Sequence, residues 1–149
     1  MADWSESSGV GSSSLRVAAY LLDTNMLIEA TVRPERLPAD IRETLEDSRN
    51  DLLASAASIW EVAIKRRKHG DRFMVTAREL HKGCKDMDVA FLDVGLDATV
   101  AVEAVPRGHG DPFDLLILCQ SQLSGATLLT TDKSLAEMSS DARWVKTKP

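Results

Sequence analysis

Five acidic side chains stand where a carboxylate could do chemistry: Asp23, Glu61, Asp111, Asp114 and Asp132. Each also has an ordinary structural use. Asp23 directly follows the apolar run Val17-Ala-Ala-Tyr-Leu-Leu22, where an Asp can accept hydrogen bonds from the first free N–H groups of a helix. Glu61 lies in Ser55-Ala-Ala-Ser-Ile-Trp-Glu-Val-Ala-Ile-Lys65, with capping-box spacing from Ser58. It also stands four residues before Lys65, an ion-pair spacing worth about 0.3 kcal/mol on a helix. Asp111-Pro-Phe-Asp114 reads as a helix start, with Asp111 at the cap, Pro112 at the first helical position and Asp114 one turn in, where the helix dipole favours an acid. Asp132 follows Leu129-Thr-Thr, where Thr131 is an alternative cap.

Taken singly, these acids are explained by capping. Their joint placement asks for more. Asp23 and Asp132 both leave the carboxyl ends of expected strands, and in a parallel sheet those ends share one edge. Asp114, opening a helix that runs back from that edge, faces the same way. Carboxylates crowded together repel and raise one another's pKa, a penalty that a divalent cation removes. Oxygen donors alone suit Mg2+ or Mn2+ rather than zinc. Other chemistries find no support: there is no His-Glu-x-x-His, no Cys-x-x-Cys and no glycine-rich phosphate loop. Asp23-Thr-Asn25 lacks the second acid of the Asp-x-Asp opening used by aspartyl-phosphate phosphatases. His69, His81 and His109 stand in no context suggesting a triad, and His109, in a Gly-flanked loop, reads as a loop or groove residue rather than a ligand.

The elements that must position these acids alternate between strand and helix. Val17 to Leu22 suits a strand buried on both faces. Thr24 to Val32 is expected to be helical, closed by Pro34. Ala39 to Arg49 follows as a helix opened by Pro38. Asp51 to Ala54 is a short strand or a helix edge. Ser55 to His69 is a helix stopped by Gly70, and Val75 to Met87 a second helix with a basic outer side. Val89 to Asp93 is a strand, Leu96 to Val105 a helix, Asp111 to Leu123 a helix with Gly125 just beyond it. Ala126 to Thr130 is a strand, Lys133 to Met138 a short helix, and Arg143 to Val145 a last strand. The pattern predicts an α/β fold with a central parallel sheet and helices on both faces.

The chain has 149 residues, enough for one domain with a real core, and its 44% apolar and 28% charged residues exclude collagen-like, coiled-coil and wholly disordered classes. Residues 1–14 hold six Ser and two Gly with no apolar stretch, and read as a flexible tail ahead of a domain over 15–149. The longest apolar run is far short of the ~18 residues needed to span a membrane. Cys84 and Cys119 are too few for a disulfide scaffold and suit a reducing, cytoplasmic setting. Net charge is −5, yet Lys65 to Lys85 carries eight Lys or Arg against Asp71 and Glu79, leaving the remainder at −11. The basic segment is either a solvated helix face or a contact surface for an anion.

Leu21-Leu-Asp-Thr-Asn-Met-Leu-Ile28, Ser55 to Lys65, His109-Gly-Asp-Pro-Phe-Asp114 and Leu129-Thr-Thr-Asp132 occur in the order found in PIN-domain nucleases, and from about Ala18 onward the chain resembles the VapC-like toxins of VapBC-type toxin–antitoxin pairs. The resemblance implies a three-layer α/β/α sandwich with an acidic, metal-dependent ribonuclease site. On it, Asp23, Glu61, Asp114 and Asp132 match the family's metal-binding acids, taking Mg2+ or Mn2+, while Asp111 is left as a cap or supporting residue. It further implies an RNA substrate, a cognate antitoxin protein and a homodimer. Leu115 departs from the family, many members of which carry Arg there, and the Ser/Gly leader is unusual for it. Lys65, Arg66 and Arg67, next to Glu61, are the candidate RNA contacts. Two other readings stay open: a catalytically silent module that binds RNA or a partner in the same groove, and a metal phosphohydrolase acting on small phosphoesters.

Overall fold

The computed structural model describes residues 18–149, so the tail expected over residues 1–14 lies outside the described residues. Five strands form one sheet: β1 (Ala19–Leu22), β2 (Asp51–Ser55), β3 (Ala90–Leu92), β4 (Thr127–Thr130) and β5 (Ala142–Trp144), in the order β3-β2-β1-β4-β5. All four pairings are parallel, with Leu21 opposite Leu53 on one side and Leu128 on the other. Asp51–Ser55 is therefore a strand. The chain winds outward from β1 first through β2 and β3, then through β4 and β5. The reversal point falls between β1 and β4, where such sheets form their binding crevice.

The helices are α1 (Thr24–Val32), α2 (Ala39–Glu46), α3 (Ala56–His69), α4 (Ala77–Asp86), α5 (Leu96–Ala101), α6 (Pro112–Ser124) and α7 (Lys133–Ala136). Successive strand side chains point to opposite faces, so each central strand serves two cores. Leu22, Leu52, Ala54 and Leu129 pack with Met26 and Leu27 of α1, Ile41 of α2, Val62 of α3 and Leu80 and Cys84 of α4. Leu21, Leu53 and Leu128 pack instead with Ile117 and Leu118 of α6 and Leu135 of α7. The result is the expected three-layer arrangement. It also explains the unbroken apolar strands, since neither sheet face meets water.

Several boundaries shift by one or two residues, and two larger differences have local reasons. α2 ends at Glu46 rather than Arg49 because Asp47 turns the chain: its carboxylate accepts the backbone N–H of Arg49 at 3.0 Å and pairs with the guanidinium. The segment expected as one helix to Val105 breaks after Ala101 into a 3-10 turn, Val102–Ala104, ahead of Pro106. No helix among the described residues is long and apolar enough to cross a membrane. Both cysteines are unpaired and buried.

Candidate active site

The reversal point of the sheet carries the acids. The Asp23 backbone N–H donates to the Leu129 carbonyl at 3.1 Å, stitching the end of β1 to β4. Asp23 caps α1, its Oδ1 accepting the Met26 N–H at 2.9 Å, and is only 3% exposed. Burial lifts its pKa from 3.8 to about 7. Bonds from Thr130 and Met26 oppose the rise, and the nearby carboxylates of Asp114 and Glu61 add to it. Asp23 is thus a buried acid within electrostatic reach of two others.

Glu61 comes from α3, which Ser55 caps by accepting the Ala57 N–H. It is buried, and both its oxygens are engaged. Thr24 donates to Oε1 at 2.6 Å, and Lys65 donates to Oε2 at 2.6 Å. The Ser58 hydroxyl lies 2.9 Å from that of Thr24. The i,i+4 pair expected between Glu61 and Lys65 forms, joining a buried carboxylate to a partly exposed ammonium.

Asp111 caps α6, accepting the N–H groups of Phe113 at 2.9 Å and Asp114 at 3.3 Å, with Pro112 at the first helical position. This holds Asp114 at the helix mouth. Burial raises the Asp114 pKa, while a hydrogen bond with His109 opposes the rise. Asp132 caps α7 through Ser134 and Leu135, and the Ser134 hydroxyl bond holds its carboxylate below the usual range. Capping and site placement therefore coexist at Asp23 and Asp132. At Asp132 the cap occupies Oδ1 alone, and Oδ2 lies 3.9 Å from His109 Nε2; at Asp23 both Met26 and Thr130 bond the carboxylate.

His109 takes the loop and groove position expected of it. It lies in the loop between Gly108 and Gly110, and its ring turns back into the crevice with its side chain only 9% exposed. Nε2 lies 2.8 Å from Asp114 Oδ2 and 3.9 Å from Asp132 Oδ2, and Nδ1 lies 3.2 Å from the Ser134 hydroxyl. One ligand atom each from His109, Asp114 and Asp132 falls within 4.8 Å of the others, a spacing that suits a metal ion. Thr24 and Ser58 were missed. A hydroxyl one residue after Asp23 and one turn before Glu61 was the available signal.

Of the three basic candidates, Lys65 is committed to Glu61. Arg66 binds the Phe73 carbonyl at 2.6 Å and Asp71 at 2.7 Å, closing the turn after α3. Arg67 is exposed. Beside the acids, the rings of Trp60 and Phe113 meet edge to face at 5.2 Å, and Trp60 is 61% exposed.

The fold is a parallel α/β/α layer structure with an acidic crevice at the reversal point of its sheet. Residues 20–140 match the PIN domain model, and the chain belongs to the PIN domain family. Two solved structures share the fold. One is VapBC2 from Rickettsia felis bound to a DNA fragment from its promoter, with 15% identity, a TM-score of 0.63, and coverage of 86% of this chain and 99% of that one. The other is PAE2754 from Pyrobaculum aerophilum, with 19% identity, a TM-score of 0.54, and coverage of 84% and 82%. No curated protein matches the chain.

Proposed function

We propose that the chain is a divalent-metal-dependent endoribonuclease that hydrolyses RNA phosphodiester bonds, and that it is the toxin of a toxin–antitoxin pair. The observation that carries this reading is the buried Asp23 carboxylate, within electrostatic reach of Asp114 and Glu61, beside the close set of His109, Asp114 and Asp132. The carboxylates of this crevice suit Mg2+ or Mn2+, which Asp23, Asp114 and Asp132 would hold, with Glu61 directly or through water. When bound, the ion lowers the pKa of a coordinated water and neutralises charge on the phosphate.

The chain's own residues supply the rest. Met26 and Thr130 fix Asp23, and Thr24 and Lys65 fix Glu61. No side-chain nucleophile is needed, and in-line attack by water leaves a 5′-phosphate and a 3′-hydroxyl. Lys65, whose side chain is 44% exposed, and the outward Arg67 offset the repulsion between an acidic site and an anionic substrate. The exposed ring of Trp60 offers an unpaired base a stacking face, which favours RNA over a small phosphoester.

The toxin assignment draws on PIN family membership and on likeness to a VapBC2 complex. An antitoxin segment presenting an Arg to the carboxylates would form a charge-assisted pair over the crevice. A homodimer and a cytoplasmic location belong to the same reading, the former supported by Leu96 and Val100 left exposed on α5.

The test incubates purified protein with structured and unstructured RNA in Mn2+, Mg2+ or chelator, beside Asp114→Asn. Cleavage is expected only with a divalent ion and only in the wild type. Turnover of a nucleotide monophosphate analogue with intact RNA would point to a phosphohydrolase. Wild-type cellular toxicity of Asp23→Asn would point to a silent binding module.

A further inference from the structure

The hydrogen-bond pattern around His109 suits the tautomer that a metal ligand needs. Asp132 Oδ1 accepts the backbone N–H groups of Ser134 at 2.9 Å and Leu135 at 3.3 Å, so it is an acceptor oxygen with no proton to give. The Ser134 hydroxyl, 2.7 Å from the same oxygen, must donate to it. A hydroxyl has one proton, so towards His109 Nδ1, at 3.2 Å, Ser134 can only accept. With Nδ1 donating to Ser134, the neutral ring leaves Nε2 with a lone pair, the form a metal ligand needs. That lone pair faces Asp114 Oδ2 across 2.8 Å. Without an ion, a proton shared between the two makes the hydrogen bond seen here; a bound metal ion would take that proton's place.

Three further observations favour a metal ion. Two donors bound to one ion at about 2.1 Å stand roughly 3.0 Å apart at right angles and roughly 4.2 Å apart in line. The distances from Nε2 to Asp114 Oδ2, 2.8 Å, and to Asp132 Oδ2, 3.9 Å, lie close to that range. A ligating imidazole almost always gives its other N–H to an outer acceptor, the part Ser134 plays here. The ring is also nine-tenths buried and turned from its loop into the acidic crevice.

We propose that His109 Nε2 is a direct ligand of the divalent ion, the single nitrogen among carboxylate oxygens, and that the site consequently prefers Mn2+ to Mg2+. The inference rests on the metal-dependent reading above and extends it to the identity of the ion. Mg2+ favours oxygen donors and parts reluctantly with its waters, whereas imidazole suits first-row transition ions. Ser134 acts through His109 as a positioning residue.

Pulsed EPR on the full chain loaded with Mn2+ reads the ligand directly, without any turnover. A nitrogen hyperfine coupling is expected in the wild type, switching from the 14N to the 15N pattern when histidine is 15N-labelled, with no substitution made. His69 and His81 lie elsewhere, at the end of α3 and on α4 against Phe91. His109→Gln should abolish the coupling and weaken Mn2+ binding by about tenfold or more, the smallest loss seen even for outer partners of a ligand. It should weaken Mg2+ binding less, so that the preference narrows. Bound Mn2+ with no nitrogen coupling in the wild type, or unchanged Mn2+ affinity in His109→Gln, would overturn the ligand assignment while leaving the metal centre standing. Wild-type protein that binds no Mn2+ would overturn both.

Discussion

Asp23 carries the largest electrostatic cost in the crevice. Its pKa of about 7 means that the folded protein binds this proton more tightly than the unfolded chain does. The contribution to stability is therefore most favourable below about pH 3.8, and it is lost as pH rises through the window from 3.8 to about 7. In metal-free protein at pH 8, Asp23→Asn should raise the melting temperature, by up to about 4 kcal/mol in stability at 1.36 kcal/mol per tenfold in proton affinity. The Asn oxygen can still accept the Met26 N–H, so the cap survives. Adding Mg2+ or Mn2+ should stabilise the wild type far more than the variant. Thermal melts at pH 5 and 8, with and without the ion, check this; a variant less stable than wild type at pH 8 would contradict it.

Helix starts do most of the positioning. Asp111 is the clearest case, because its cap orders the very N–H that belongs to Asp114. Asp111→Ala should cost about 1 kcal/mol in stability. It should also depress RNA cleavage beyond what that loss predicts, as measured by denaturant melts and cleavage rates on the same samples. The packing of α4 on α1 offers a contrasting test. A Cβ at Gly83 would meet Thr31 Cβ and Cγ2 at 2.9 Å, so Gly83→Ala should destabilise by about 1–3 kcal/mol. α1 follows directly on Asp23, so cleavage should fall along with stability. The caps at Asp111 and Pro112 were legible because their signals are local, and so was the alternation of strand and helix. The capping box of Thr76 and Glu79, by contrast, escaped notice inside a segment read as one basic helix. The bonds of Thr24 to Glu61 and of His109 to Asp114 were not legible at all. They depend on how α1 meets α3 and how a glycine-flanked loop folds back, which no spacing in the chain encodes.

At the scale of the whole molecule, an acidic protein has to hold a polyanion. The expected basic rim divides in the structure: Lys65 serves Glu61, Arg66 ties down the turn at Asp71, and Arg67 is exposed. Replacing Lys65, Arg66 and Arg67 together by Ala should weaken RNA binding and flatten its salt dependence. Arg67→Ala alone should lower the salt slope by about 1 with little change in stability. Fluorescence anisotropy across a salt series reads both slopes, and an unchanged slope would leave these residues as ordinary surface. The account as a whole turns on acids brought together from the ends of β1 and β4, from α3 and from α6. Anomalous scattering from crystals soaked in Mn2+ tests that most directly. The prediction is a peak in the crevice within bonding distance of the Asp114 and Asp132 carboxylates and beside Asp23. Crystals that bind Mn2+ only elsewhere, or leave the crevice without a peak at millimolar Mn2+, would contradict it.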